Sequence, residues 1–161
     1  MTAIAFTILG EPASKANSRA IGTLKFRDES GEVKARPMVR KSDKALAFER
    51  YALRQIPQNS RAQLTGPVRV TLRIFYASER PDLDESVILD VLQDRYAKVK
   101  RGSRKARELV QKGVYLNDRQ VREKHVYHGI DRTNPRTEII VEPLAAQQCA
   151  LALETTPSLE V

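Results

Sequence analysis

The sequence predicts a single α+β domain, in which a mixed β-sheet is packed by about two main helices and carries a basic helical insertion. The first observation is length, because 161 residues suit one domain that can bury roughly 70% of the surface its unfolded chain exposes. The second is a series of β-prone runs near both ends and in the middle of the chain. The third is a pair of helix patterns between those runs.

The first part of the chain predicts a strand followed by a hairpin. Residues 3–9, AIAFTIL, form an apolar β-prone run that ends at Gly10, which is typical of a buried strand stopped by a turn. A polar loop follows. Segments 23–27 and 33–39 then flank a polar turn, where Gly31 can take the positive φ that a hairpin connection needs. We expect these two segments to pair.

An amphipathic helix is predicted to begin near Asp43 and to end before Pro57. Ser42 can cap it, because its side-chain oxygen can accept a hydrogen bond from a free N–H group of the first turn. The apolar residues that share one face at helical spacing are Ala45, Phe48, Ala52, Leu53 and Ile56. We expect this face to pack on the sheet.

The middle of the chain predicts a strand that leads to a second helix. Apolar and polar residues alternate from residue 67 to residue 76. The apolar face consists of Val68, Val70, Leu72, Ile74 and Tyr76. A second helix is expected to open just after Asp84. Its apolar residues at helical spacing are Val87, Ile88, Val91, Leu92 and Tyr96. The four carboxylates between residues 82 and 90 thus lie at a strand-to-helix junction.

Two further strands, expected to be hairpin-like, are predicted near the end of the sequence. They are residues 121–128, VREKHVYH, and residues 137–142, TEIIVE, with a polar loop between them. No signal fixes the last residues in place. We therefore expect residues 1–144 to form the domain and residues 145–161 to form a flexible C-terminal tail.

The charge of the chain favours a polyanionic partner. Its 28 Lys and Arg residues exceed its 20 Asp and Glu residues, which leaves a formal net charge of +8. Nucleic acid or an acidic membrane face would each suit such a surplus.

Cysteine content and the amino terminus indicate the compartment. The single cysteine, Cys149, excludes an intrachain disulfide and a cysteine zinc site, which fits a reducing cytoplasm. The first residues lack the basic region and cleavage site of a signal peptide, and no apolar run approaches the ~18 residues that span a bilayer. No glycine-rich phosphate loop is present. We expect a cytoplasmic protein with no membrane partner and no organic cofactor.

Asp82 and Asp84 can share a metal ion. They lie two residues apart, so in an extended segment their side chains project the same way, with Cα atoms roughly 6.6 Å apart. Carboxylate oxygens suit Mg²⁺, which takes one or two protein carboxylates and completes its octahedron with water and substrate phosphate. The alternative is that Asp84 only caps the following helix while Asp82 is solvated.

Two motifs together resemble the RusA-type family of Holliday junction resolvases. They are RPDLD, residues 80–84, before an apolar helix, and GVYLNDRQV, residues 113–121. The loop LGEPASKANSR after the first strand is also similar. The resemblance implies that Asp82, Asp84 and Asp118 are catalytic and bind Mg²⁺, for which Mn²⁺ can substitute.

The resemblance also implies a substrate and an assembly. A homodimer would resolve four-way DNA junctions by paired symmetric nicks during recombination and repair, because a two-fold dimer presents two equivalent sites to two symmetry-related strands. Two alternatives stay open. One is a flap-type or other structure-specific nuclease with the same metal site, and the other is a structure-specific DNA-binding protein that cleaves weakly or not at all.

The chain departs from the family pattern just after the aspartate pair. Glu85 stands where relatives usually have Asn, and Ile88 stands where they have a catalytic Lys. Either the protein cleaves poorly or another cation supplies this charge, for instance a lysine from a basic segment farther along the chain. Glu85 could be a fourth metal ligand or a substitute base, although an acid in the first turn of a helix needs no function.

That basic segment, residues 95–112, is an insertion relative to compact family members. It holds eight Lys or Arg residues and one acid, a net charge of +7. Contact with DNA phosphates would strengthen binding and make it salt-dependent, whereas the alternative is a solvated helix-loop-helix surface or a mobile arm. The predicted DNA-binding residues of the whole chain are Lys15, Asn17, Arg19, Arg80, Lys98, Lys100, Arg101, Arg104, Lys105 and Arg107.

Overall fold

The computed structural model describes residues 2–79, 83–97 and 107–145, and it confirms the predicted α+β domain. The strands are β1 (Ile4–Leu9), β2 (Arg19–Arg27), β3 (Val33–Lys41), β4 (Val68–Tyr76), β5 (Arg95–Tyr96), β6 (Leu109–Gln111), β7 (Val121–Ile130) and β8 (Arg136–Pro143). The helices are α1 (Lys15–Ser18), α2 (Asp43–Gln55) and α3 (Ser86–Leu92), with 3₁₀ turns at Gln58–Ser60 and Asp118–Gln120. Within these ranges a mixed sheet of order β1-β8-β4-β7 shares one core with α2 and α3.

Strand β4 is at the centre of the core. Its apolar face is buried as predicted, with Val70, Leu72 and Ile74 at 0% exposure. β4 pairs in parallel with β7 and antiparallel with β8, and β8 pairs in turn with β1. β7 and β8 therefore flank β4, and the hairpin expected for them is wrong. Alternation along a strand indicates which face is buried, but it does not indicate which strand is the neighbour.

Helix α2 follows the prediction at both ends. The Ser42 hydroxyl oxygen accepts the Ala45 N–H at 3.1 Å, and the helix ends at Gln55, shortly before Pro57. Its apolar face packs into the core, and Glu49 is buried on the same helix. No helix among the described residues is long and apolar enough to span a membrane.

Helix α3 is shorter than predicted, because it ends at Leu92 and Tyr96 lies in β5. The helix ends where the residues that follow the basic segment form hydrogen bonds with Leu92 and Asp94. Leu92 O accepts the Val114 N–H at 2.7 Å, and the buried Asp94 carboxylate accepts the Gly113 N–H at 2.7 Å. These long-range hydrogen bonds take the place of a further helical turn.

The basic segment is not helical where the structure describes it. Its two ends form β5 and β6, which pair antiparallel with each other. The helical insertion predicted for residues 95–112 is therefore wrong at both ends, while residues 98–106 lie outside the described ranges. Charge by itself specifies no secondary structure, and the residues Leu109 and Val110 suit a strand.

Strands β2 and β3 form the predicted hairpin, here called the ribbon (residues 19–41). The two nine-residue strands pair antiparallel along their whole length, and Gly31 has a φ of +83° in the connecting turn. The ribbon is a two-stranded sheet of its own. The polar loop predicted before it contains the one-turn helix α1, in which the Ser18 hydroxyl donates to Lys15 O at 2.9 Å.

The last strand is tied to the core sheet close to residue 144, where we predict that the domain ends. β8 ends at Pro143, and the Leu144 N–H donates to Pro67 O at 2.9 Å, which ties this end of the strand to the start of β4. The predicted flexible tail, residues 145–161, lies outside the described residues apart from Ala145.

Candidate functional site

Asp84 lies two residues before the start of helix α3 and is half-buried. Its Oδ1 accepts the Ser86 N–H at 3.0 Å, so one carboxylate oxygen supports the start of the helix. This hydrogen bond supports the alternative that Asp84 caps the helix. An Asx-type bond of this kind also fixes where the carboxylate points. Its predicted partner Asp82 and the predicted DNA-binding residue Arg80 lie outside the described residues.

Asp118 begins a 3₁₀ turn that is held by side-chain hydrogen bonds. The side-chain Oε1 of Gln120 accepts the Asn117 N–H at 3.0 Å. The Gln120 amide group donates to Leu64 O and Gly66 O, both at 2.8 Å. Because Gln120 links the turn to a separate loop, the exposed Asp118 stands on a well-anchored backbone. The motif alone did not indicate this role for Gln120.

Hydrogen bonds of the Gln93 side chain connect Asp118 with Asp90 of α3. Gln93 joins them, since its Oε1 accepts the Asp118 N–H at 3.4 Å and its Nε2 donates to Asp90 Oδ1 at 3.4 Å. The buried Tyr115 hydroxyl donates to Leu89 O at 3.0 Å. Burial raises the pKa of Tyr115 far above its usual value, and the negative charges of Asp118 and Asp90 raise it further. Both carboxylates thus act on one phenol.

Asp90 is also the end of a chain of ion pairs. Lys41, the last residue of the ribbon, places its Nζ 2.7 Å from Asp90 Oδ2 and 2.8 Å from Glu49 Oε2. Arg95 also pairs with Glu49. Burial opposes the charge on Lys41, but the hydrogen bonds to Asp90 and Glu49 outweigh it and raise its pKa. Burial likewise opposes the charge on Glu49, yet Lys41 and Arg95 lower its pKa overall.

A second lysine lies at the opposite end of α3. Lys124 of β7 forms an ion pair with Glu85, and this hydrogen bond lowers the pKa of Glu85. The negative charge of the neighbouring Asp84 acts in the other direction on the same carboxyl group. Glu85 is therefore engaged with a cation, and the hypothesis that it is a metal ligand or base stays a prediction.

Ile88 occupies the position that the resemblance assigns to a catalytic lysine, and its exposure is 0%. It packs in the core with Val87 and Val91. This helix position therefore faces the core, and a cation near the acidic residues has to come from another element. Lys41 and Lys124 are the two described lysines that reach the acids of α3.

Both acidic segments lie near the start of β7. The Asp118 turn leads directly into β7, and the pair of Glu85 with Lys124 ties the beginning of α3 to the fourth residue of the same strand. Asp84 thus lies at the start of α3, and Asp118 has its contacts with the second half of the same helix. Asp84 precedes Asp90 by six residues, a rise of roughly 9 Å along a helix.

The described residues offer carboxylates but no complete metal site. Within residues 2–79, 83–97 and 107–145, no group of three His, Cys, Asp or Glu side chains is arranged to hold a metal ion. Asp82 lies outside these ranges, so the predicted set of Asp82, Asp84 and Asp118 is only partly visible. The oxygen donors of Asp84 and Asp118 suit a hard cation such as Mg²⁺.

The predicted DNA-binding residues divide into two groups. Lys15, Asn17, Arg19 and Arg107 are exposed. The side chain of Asn17 donates to the Ser14 hydroxyl at 3.0 Å, so part of its hydrogen-bonding capacity is used within the protein. The remaining predicted residues lie outside the described ranges and stay predictions: Arg80, Lys98, Lys100, Arg101, Arg104 and Lys105.

Comparison with known proteins leaves the family open. No protein-family model matches the chain, and no curated protein matches it. The resemblance to RusA-type resolvases therefore rests on the motifs around Asp84 and Asp118.

Proposed function

We propose that this protein is a Mg²⁺-dependent endodeoxyribonuclease that cuts branched DNA, acting on four-way junctions as a homodimer in recombination and repair. The observation that carries the proposal is that two acidic segments far apart in sequence, around Asp84 and Asp118, contact opposite ends of one helix, α3, in a chain with a net charge of +8. An acidic cluster in a basic protein suits a metal ion that meets a phosphate backbone.

Asp82, Asp84 and Asp118 would hold the cation in this proposal. When bound, Mg²⁺ lowers the pKa of a water molecule and stabilises charge on the leaving 3′ oxygen. Gln93 and Gln120 orient the backbone of the Asp118 turn from two sides. Such positioning matters because catalysis depends on ligands that are held in place before the substrate arrives.

Lys124 is our candidate for the charge that the family lysine supplies. Lys41 is shared between Asp90 and Glu49, so its charge is already neutralised. Lys124 pairs with Glu85 alone among the described ion pairs, and it does so next to Asp84. The family lysine follows the second aspartate of the pair by four residues, which is the same end of α3.

A DNA-binding protein without turnover is the second candidate, and the buried Ile88 favours it. Without a lysine on the helix, the acids could bind a cation and still leave the transition state poorly stabilised. A flap-type nuclease shares the metal site and differs in substrate only. Substrate comparison therefore separates all three functions.

The test uses the purified protein with a synthetic four-way junction, a 5′ flap and a plain duplex of the same sequence, each with Mg²⁺ or with EDTA. We expect symmetric paired nicks in the junction with Mg²⁺ only. Asp118→Asn should bind the junction normally and lose cleavage by on the order of 100-fold or more. The matched acid-to-amide control is Glu138→Gln in β8, which lies outside the ribbon and the candidate site and should cleave normally.

Each alternative has its own outcome. Preferred cleavage of the flap would assign the flap-type activity. Tight junction binding with no nick at any Mg²⁺ or Mn²⁺ concentration would assign the non-cleaving function. Undiminished cleavage by Asp118→Asn would remove this residue from the site and defeat the nuclease proposal as stated.

A further inference from the structure

The ribbon is the least buried part of the described structure. Nearly every residue from 21 to 27 and every residue from 33 to 40 is exposed. The cross-strand pair of Ile21 and Val39 is 81% and 63% exposed. An isolated two-stranded sheet is at best marginally stable in water, so a ribbon of this length with apolar residues on its surface indicates a binding partner.

The charges of the ribbon favour a polyanion. Residues 19–41 contain seven Lys or Arg residues and three acids. The three acids, Asp28, Glu29 and Glu32, all lie in the turn, and Asp28 pairs with Lys34. The paired strands outside the turn therefore carry positive charges only. Those residues are Arg19, Lys25, Arg27, Lys34, Arg36, Arg40 and Lys41.

The shape of the ribbon fits duplex DNA. Nine extended residues span about 30 Å, close to one turn of the double helix, ~34 Å. The major groove is about 12 Å wide and admits a two-stranded β-ribbon. On one face Arg36 lies over the Phe26 ring at 5.7 Å, opposite Leu24 in the register, so cationic and apolar groups alternate there. Such a surface suits phosphates and base edges together.

The base of the ribbon lies beside the candidate site. A cleft of about 190 Å³ is lined by Arg19, Arg40 and Lys41 of the ribbon together with Ser86 and Asp90 of α3. At this cleft, Lys41 joins the ribbon to α3 through its ion pair with Asp90. A ribbon anchored here would extend along a duplex arm whose backbone passes the acids of α3.

We propose that the ribbon is a DNA-binding arm that lies in the major groove of the duplex that passes the acids of α3. The inference rests on the proposed function only in that the ligand is DNA. It needs binding and no turnover, so a protein that fails to cleave junctions could still use the ribbon, and a cleaving protein could lack this contact.

The experiment measures DNA affinity of the full chain without Mg²⁺, on a four-way junction and on a 30-bp duplex, at several salt concentrations. We expect Lys25→Glu with Arg36→Glu to weaken binding at least about 10-fold and to reduce the salt slope by about 2, because two phosphate contacts are lost. The control is Arg54→Glu with Arg132→Glu, which makes the same charge change at exposed positions of α2 and of the loop after β7. The control should keep the wild-type salt slope. Equal effects of the two variants would overturn the proposal.

Methylation protection tests whether the ribbon lies in the major groove, because guanine N7 is exposed there. We expect protection of guanines in the bound duplex arm, and its loss in the Lys25→Glu with Arg36→Glu variant. Unchanged protection in that variant would place the ribbon elsewhere and overturn the proposal.

Sedimentation of the same variant tests the other possible occupant, a second copy of this chain. We expect Lys25→Glu with Arg36→Glu to keep the oligomeric state of the wild type. A shift to a smaller species, matched by Ile21→Ser with Val39→Ser, would assign the ribbon to the interface between copies instead of to DNA.

Discussion

The two ends of helix α3 are held very differently. At the beginning, the ion pair of Glu85 with Lys124 joins the helix to β7, and both side chains are partly exposed. At the other end, backbone bonds from Val114, the Asp94 carboxylate and the Gln93 side chain fix the returning chain against the helix. The second end is therefore held by several hydrogen bonds, while the first end depends on one partly exposed ion pair.

The largest expected effect on stability comes from Gly113→Ala, which disturbs the packing of the chain against the second end of α3. A Cβ atom at Gly113 would lie 2.4 Å from the carbonyl carbon of Gln93 and 2.5 Å from Leu92 O. Backbone atoms cannot move aside as a flexible side chain can. We expect the free energy of unfolding to fall by about 1–3 kcal/mol, measured by urea denaturation.

The matched control for this change is Gly22→Ala in the ribbon. The nearest atom there is Arg40 Cδ at 3.3 Å, the middle of a flexible and exposed side chain. We expect this control to change the urea midpoint far less. A Gly113→Ala protein with the wild-type midpoint would show that the return of the chain onto α3 is looser than described.

The next effect separates the two lysines. Lys41→Met should lower the free energy of unfolding by about 1–3 kcal/mol, because it leaves the buried Glu49 and also Asp90 without this cation. Lys124→Met should lower it by less than about 1 kcal/mol, because its pair with Glu85 is partly exposed. Cleavage corrected for the folded fraction should fall at least about 10-fold only in Lys124→Met.

Each variant serves as the control for the other, and Lys124→Arg adds a charge-conserving comparison. Retained cleavage in Lys124→Met together with lost cleavage in a folded Lys41→Met would reverse the assignment of the two lysines. Equal behaviour of both variants in stability and cleavage would erase the contrast between the ends of α3.

The smallest effect is on the pH dependence of stability. The folded pKa of Glu49 is below its ordinary value of 4.5, so its stabilising contribution is complete above that value and is lost as the pH falls through the folded pKa. Glu49→Gln should therefore flatten the fall of stability between about pH 5 and pH 3. Glu29→Gln, in the exposed turn, should keep the wild-type slope. An identical slope in Glu49→Gln would mean that Lys41 and Arg95 do not hold this carboxylate charged.

Local patterns predicted most of the elements correctly. The alternation in β4, the cap at Ser42 and the turn at Gly31 depend on residues close in sequence, and all three are confirmed. The partners of β7 and the early end of α3 were missed. Both depend on pairing between distant segments, as in the hydrogen bond of Asp94 with Gly113, and no local periodicity contains that information.

The candidate site shows the same division. The motifs predict Asp84 and Asp118 as site residues, which stays a prediction, and the contacts of both segments link them to α3. Asp90 stood in the acidic stretch without an assigned role, although it carries the ion pair with Lys41. Lys41 and Lys124 belong to strands far away in the sequence, so their approach to α3 follows from the fold and not from any motif.

The order of strands in the core sheet has a consequence for how the protein is made. β4 has its neighbours β7 and β8 later in the sequence, and β1 lies at the edge beside β8. No strand of this sheet has a neighbour to pair with until β7 has left the ribosome, and β1 has none until β8 has followed, whereas the ribbon and α2 need only local contacts. In a nascent chain, β1 therefore stays unpaired until β8 has been made. Ile8 and the apolar face of β4 are exposed to chaperones during this part of synthesis.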